Sequence, residues 1–390
     1  MAPHLPEPTI SSQLRTTMRH ICAAFPPEYW RECDQQRAYP TAFVDAMTGS
    51  RMLSALIPAE YGGLGMTMMD ASVILEEVNR SGGNSAACHA QMYTMGAMVR
   101  HGSEEQKSQW LPPIATGEMR LQAFSVTEHE AGSETTAIAT SAVRQGNDYL
   151  VNGHKNWTSR IEQSDLMLLL ARTSSRDQIE RRSDGLSLLL VDLEDARAQH
   201  AIDVRPVRTM FNYATNEVTY RNLRVPAANL IGKEGDGFRC ALDGMNAERI
   251  LLAAEAIGDG YWFIEQAAKR ASEREVFDRP IGANQGVQFP IARAHAAVVA
   301  ADQVRYLAAS KYDTGESCGA EANMAKLLAS EASWQAANVC LDTFGGYGFV
   351  TEYDVERKFR ETRLYQVAPV SNNLVLAYLA HHVLGMPKSY

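Results

Sequence analysis

None of the six cysteines (Cys22, Cys33, Cys88, Cys240, Cys318 and Cys340) stands in a C-x-x-C pair. Neither a zinc cluster nor a disulfide framework is signalled, no metal site is expected, and the thiols read as reduced core residues. No apolar run reaches the length that spans a bilayer. The opening MAPHLPEPTISSQLR lacks the basic start and apolar stretch of a secretory signal, and it is not the Arg-rich, acid-poor sequence of a transit peptide. The reading is a cytoplasmic protein without membrane insertion. Positive charge is scarce as well: the formal net charge is −9, which disfavours nucleic acid as a partner. What remains is an ordinary globular composition, 45% hydrophobic and 21% charged, in 390 residues. That is enough for two or three packed units.

Periodicity divides the chain near residues 119 and 236. Residues 1–118 read as a helical domain, with apolar residues three and four apart in TAFVDAMTGSRMLSALIP and MMDASVILEEVNRS. In SAACHAQMYTMGAMVRHG small residues and methionines dominate, which predicts a helix buried on most sides. Residues 119–235 turn to short β-rich runs punctuated by turn residues, which predicts a small antiparallel barrel or sandwich. SSRDQIERRSDG within it is a charged excursion without an apolar face. Residues 236–390 return to long helices, with Ile250, Ala254, Ile257, Tyr261 and Ile264 on one stripe, and predict a four-helix-bundle-like domain. The fold class is α+β. GKEGDGF at 232–238 has the wrong spacing for a dinucleotide fingerprint, so a Rossmann reading is poor.

Four motifs carry chemistry, each with a plainer explanation beside it. VTEHEAGSE (126–134) joins a strand end to a Gly-Ser turn whose N–H and hydroxyl groups can receive a flat cofactor or a phosphate, or simply form a polar loop. GHKNWTS (153–159) sets a Trp beside hydroxyl residues, where an indole can flank an aromatic cofactor or fill a core. Arg274, three residues before Phe277 and followed by Gln285, can clamp a pyrophosphate or cap a helix. FGGYGF (344–349) allows close backbone approach to a ligand, or ends a helix.

Together and in this order, the motifs resemble the acyl-CoA dehydrogenase family along nearly the whole chain. The resemblance rests on T-E-x-x-A-G-S-[DE] (127–134), G-x-K-x-W (153–157), Glu248-Arg249, Arg274 and Phe277, and G-G-x-G-[FY] followed by E-Y-x-V-E-R-x-x-R (345–360). It implies FAD, a helix–β–helix subunit, a homotetramer formed as a dimer of dimers, and an electron-transferring flavoprotein as oxidant. It further implies that Phe124, Val126, Thr127, Gly132, Ser133, Trp157 and Ser159 adjoin the flavin, with Ser133 nearer the CoA in many members. Arg274, Phe277, Gln285, Asp342, Gly345 and Gly346 would reach the FAD of a neighbouring subunit, and Ser371 and Asn373 match further FAD positions. Asp342 stands where Gln is common, His129 where Pro is usual, and Asp278 where Gly is usual.

The chemistry implied needs one carboxylate, because the α-C–H of an acyl thioester is only weakly acidic. Many members carry it as the Glu of an E-G-T segment after L-Y-Q. Here Leu364-Tyr365-Gln366 is followed by VAPVS, Pro369 falls in the Glu register, and no carboxylate lies from residue 362 to the C-terminus. Isovaleryl and long-chain members place the Glu on the E-R helix, so Glu248 is the expected base. A Glu in the first turn of a helix, favoured by the macrodipole, explains the same residue without catalysis. The resemblance places the acyl tail near His89, Met92, Tyr93 and Gly96, with Arg249 also toward substrate. Tyr93 would shorten the cavity and favour a short, branched or compact acyl group. Two alternatives stay open: a divergent flavoenzyme (monooxygenase, oxidase or carrier-protein thioester dehydrogenase), and a scaffold that retains FAD.

Overall fold

The computed structural model describes residues 11–389, so residues 1–10 of the opening segment inspected for a leader lie outside the described residues. Six helices come first: α1 (Ser11–Ala23), α2 (Pro27–Gln36), α3 (Thr41–Gly49), α4 (Met68–Arg80), α5 (Ala86–His101) and α6 (Glu104–Thr116). Capping boxes start two of them, Thr67 with Asp70 on α4 and Ser103 with Gln106 on α6. α6 stops at Gly117, whose φ of +85° suits glycine and whose added Cβ would lie 2.1 Å from Thr48 Cγ2. α5 is buried on most sides, as its small residues and methionines predict.

The central region is one eight-stranded sheet. Its strands are β1 (Leu121–Ser125), β2 (Ser141–Gln145), β3 (Asp148–Ser159), β4 (Leu166–Arg172), β5 (Leu186–Asp192), β6 (Ile202–Pro206), β7 (Thr215–Pro226) and β8 (Leu230–Ile231), with the short helix α7 (Leu193–Ala198) after β5. The order is β6-β7-β3-β2-β4-β5-β8, with β1 paired to β4. Most pairs are antiparallel, but β1 runs parallel to β4 in the register Phe124↔Leu168, and β2 meets β4 in parallel at Ser141↔Arg172. The purely antiparallel expectation is corrected there. The β2–β3 hairpin lies between β1 and β4 in sequence and supplies the long crossover that a parallel pair requires.

The C-terminal region is built on α8 (Gly237–Glu273), the hairpin β9 (Glu275–Val276) and β10 (Arg279–Pro280), α9 (Gln285–Asp313), α10 (Gly319–Phe344), α11 (Val355–Thr362) and α12 (Asn372–Tyr378). α8 is the central rod, packed on α4, α5, α9 and α10. Gly258 lets α4 come close, because a Cβ there would meet the Glu76 carbonyl oxygen at 2.4 Å. The predicted stripe holds, with Ile250, Ala254 and Ile257 buried. α8 starts earlier than its apolar periodicity suggests, since its first turns bury Cys240 against Leu188, Leu190 and Ile231 of the sheet. Glu248 is therefore well inside the helix rather than in its first turn, and the macrodipole no longer explains it. All six cysteines are free and five are buried. Among the described residues, no helix is long and apolar enough to cross a membrane.

Candidate active site

The flavin-type turn is held by two residues that motif reading passed over. Glu128 accepts the backbone N–H groups of Ala139 at 2.7 Å and Thr140 at 2.9 Å, and pairs with Lys155 Nζ at 2.9 Å. Lys155 Nζ donates in turn to the Val126 carbonyl at 2.7 Å, and the Asn156 N–H donates to the Thr127 carbonyl at 2.8 Å. The E of T-E and the K of G-x-K-x-W are thus the clamp that joins the turn to β3. Burial lowers the Lys155 pKa to about 8, opposed by the charge of Glu128.

Around this clamp lie the residues expected at the flavin. Phe124 and Ser159 are half-buried, Gly132 and Ser133 are exposed, and nothing would meet a Cβ added to Gly132 within 4 Å. Trp157, at φ +60°, turns its indole outward and is 55% exposed. Beside the turn, His129, His154 and Glu217 bring possible ligand atoms within 4.8 Å of one another. Both His154 ring nitrogens are engaged, by Thr219 Oγ1 at 3.0 Å and Asn156 Oδ1 at 3.1 Å.

A cleft of about 540 Å³ opens between α5, α8 and the turn after Tyr365, and Glu248, His89, Tyr93, Arg160, Glu255 and Pro369 are among its lining residues. Glu248 is half-buried on its wall and makes no side-chain hydrogen bond or ion pair among the described residues. Burial holds its pKa above the ordinary carboxylate value; His89 and Arg249 pull it down, and Glu255 pushes it up. Ala368 and Pro369 line the same cleft, so the two chain positions considered for the base converge on one space.

The far wall is set by a relay of hydrogen bonds. Asn79 Nδ2 donates to Tyr365 Oη at 2.9 Å, and its Oδ1 accepts the Ser85 N–H at 3.0 Å. Ser85 Oγ donates to Glu255 Oε1 at 2.7 Å, while His89 Nδ1 lies 3.2 Å from Glu255 Oε2. Burial depresses the His89 pKa, but the carboxylates of Glu255 and Glu248 outweigh it and leave the pKa raised. His89 Nε2 is buried with no partner. Tyr93 packs edge-on to His89 with centroids 5.3 Å apart. Met92 is in the core and Gly96 lies next to Arg100.

Arg249 is not on the cleft wall; its Nη1 donates to Asn246 Oδ1 at 3.2 Å. Lys326 fixes the turn after Pro369 by donating to the Val370 carbonyl and to Asn372 Oδ1, both at 2.7 Å. Ser371 caps α12, and Asn373 is exposed on its first turn.

The remaining expected residues form a second group. Arg274, Phe277, Gln285, Asp342, Gly345 and Gly346 are all exposed, at the end of the bundle where α8 and α10 finish and α9 begins. Arg270 ties this end together, with its guanidinium 5.5 Å from the Phe344 ring and 4.9 Å from the Tyr347 ring. From Glu248 to Arg274 the helix advances about 39 Å. Within one subunit the two groups are separate sites.

Three family models match the chain: "Acyl-CoA dehydrogenase, N-terminal domain" over residues 11–118, "middle domain" over 123–223 and "C-terminal domain" over 235–384. Acyl-CoA dehydrogenase FadE12 of Mycobacterium tuberculosis is 32% identical over 98% of both chains. The 3-(aryl)acrylate reductase of Clostridium sporogenes is 30% identical, covering 90% of this chain and 93% of its own. The structure of glutaryl-coenzyme A dehydrogenase with glutaryl-CoA superposes with a TM-score of 0.90 at 29% identity, covering 99% of this chain and 98% of that one. The chain belongs to the acyl-CoA dehydrogenase family, FAD-dependent oxidoreductases that act on CH–CH bonds.

The residues present fit that cofactor. The exposed Trp157 indole and the open Gly132 offer a flat apolar surface beside backbone donors, and the unobstructed Gly345 and Gly346 give close approach at the second site. Sequence reading missed Arg160, Tyr213, Glu255 and Glu361 of the cleft. Glu255 had a signal, since it lies seven residues from Glu248 and so on the same helix face. Arg160 and Tyr213 had none, because the pairing of β3 with β7 brings together the loops that flank those strands, 53 residues apart in the chain.

Proposed function

We propose that the protein dehydrogenates an acyl thioester between its α and β carbons, with Glu248 as the base. The observation that carries this is a carboxylate on the cleft wall, free of hydrogen bonds and ion pairs among the described residues, facing a space where the alternative base position holds a proline. Bound FAD supplies the acceptor for the β-hydride. Burial makes Glu248 a stronger base once ionised, and the charges of His89 and Arg249 favour the ionised form. In the turn beside it, the N–H groups of Val367 and Ala368 are taken by the Leu364 carbonyl, and Pro369 has none.

Tyr93, against His89, closes the acyl end of the cleft and favours a short, branched or compact acyl group. Val126, Thr127, Ser133, Trp157, Ser159 and Ser371 hold the flavin of their own subunit. Arg274, Phe277, Gln285, Gly345 and Gly346 hold that of a neighbour, in a homotetramer built as a dimer of dimers. The separation of the two groups along α8 supports that division. A cytoplasmic setting and an electron-transferring flavoprotein as oxidant complete the reading.

Anaerobic titration with acyl-CoA esters tests it. Glu248→Gln should keep its FAD and bind the ester while flavin bleaching slows by about 10³-fold or more. Bleaching at the unaltered rate would remove Glu248 from the role.

A further inference from the structure

Arg160 follows the Trp157 segment at the start of a short 3₁₀ turn, with φ +58°. Its backbone is pinned on both sides: the N–H donates to the Ala214 carbonyl at 2.7 Å, and its carbonyl accepts Ser164 Oγ at 2.8 Å. The side chain is only 5% exposed, yet it lines the cleft that holds Glu248. The guanidinium sits 4.7 Å over the ring of Tyr213, another cleft residue. Among the described residues no carboxylate lies within ion-pair distance of it. The carboxylates of the same cleft are committed or distant: Glu255 to Ser85 and His89, and Glu361 to Arg357 at 3.1 Å. A second polar group shares this space, because His89 lines the same cleft, is 8% exposed, and its Nε2 has no hydrogen-bond partner among the described residues.

A buried guanidinium without a counter-ion is costly, and it presents a planar fork that matches a carboxylate with two parallel hydrogen bonds. We infer that Arg160, with His89 Nε2 beside it, receives a carboxylate at the far end of the acyl group. The substrate is then the monothioester of a dicarboxylic acid, held by the thioester at Glu248 and by its second acid group at Arg160. The two-point grip fixes the α and β carbons against the base without a long apolar tail. It also makes Tyr213 a positioning residue, since its ring fixes the plane of the fork.

The inference rests on the dehydrogenase reading for its substrate class, and its test separates the two. Purified holoenzyme is titrated anaerobically with matched pairs: succinyl- against butyryl-CoA, glutaryl- against pentanoyl-CoA, and adipoyl- against hexanoyl-CoA. Calorimetry reads binding and flavin absorbance reads reduction. At least one carboxylated ester should bind ten-fold or more tightly than its apolar partner. Arg160→Met should abolish that preference, weakening the carboxylated ester about 100-fold, while apolar esters change less than three-fold and Arg160→Lys restores part of the preference. Flavin content of Arg160→Met should be unchanged and its Tm equal or higher, because an unpaired buried charge has been removed.

Equal binding within every pair, or equal loss for both members in Arg160→Met, overturns the inference. So does loss of FAD with a lower Tm in that variant, which would make Arg160 a structural or cofactor residue. Selective binding without bleaching would instead leave Arg160 standing and overturn the assignment of Glu248.

Discussion

Two clusters of buried charge, one between α1, α4 and α9 and one in the cleft beside α5 and α8, are finished differently. In the first, Arg15 of α1 donates to Glu76 at 2.8 Å and Glu77 at 2.6 Å, while Arg305 of α9 donates to Glu76 and Ser72 of α4 and to Asp302 of its own helix. Each carboxylate there meets a guanidinium fork, and the charges of Arg305 and Arg15 hold the Glu76 pKa below its ordinary value despite burial. The second cluster, in the cleft, leaves Glu248 without a bond and His89 Nε2 and Arg160 without an anion among the described residues. A cluster that only joins helices can satisfy every group. A cluster that must receive a ligand keeps groups in reserve.

The largest effect should come from breaking the finished cluster. Arg305→Met leaves Asp302 and one side of Glu76 buried without their partner, and chemical denaturation should show a loss of about 3–5 kcal/mol. A loss below about 1 kcal/mol would show that the cluster relaxes easily and blur the contrast. Stability should also respond to acid there. The folded pKa of Glu76 lies below its unfolded value, so its contribution is present above about pH 4.5 and is lost as pH falls through the folded value.

His89→Gln tests the reserve in the cleft. The imidazolium favours ionised Glu248, so its removal should move the pH midpoint of flavin reduction upward. A downward or absent shift would mean that His89 is neutral when substrate binds. Burial raises the Glu248 pKa from its ordinary value, so reduction should quicken as pH rises through this raised midpoint.

The smallest effect should have the opposite sign to the first. Glu248 has a folded pKa above its unfolded value, so its favourable contribution is fully present below about pH 4.5 and is lost as pH rises through the folded value. At neutral pH the site opposes folding. Glu248→Gln, assayed without substrate, should raise Tm by about 2 °C at pH 7.5, and less at pH 5. A lower Tm would place Glu248 in an unseen stabilising bond.

Much of this was legible from sequence because it is local. The period of the helices, the β-rich middle and the empty position at Pro369 each depend on residues close in the chain. The depth of Glu248 within α8 was not legible, since the helix gains its first turns by burying Cys240 on the sheet. The parallel β1–β4 pair was likewise hidden, as strand direction is decided by a crossover and not by alternation.

The amino-acid order by itself determined the family motifs and which side chains can act as acid, base or cation. Only the tertiary structure decided which of them stay unpaired. Glu128 and Lys155 are charged side chains of the same kind as Glu248 and Arg160, but folding joins the first two at 2.9 Å and leaves the others facing a cleft. Pairing is a matter of distance between elements that the chain separates by tens to hundreds of residues, and the energy of a buried charge depends on that distance together with the desolvation that burial imposes.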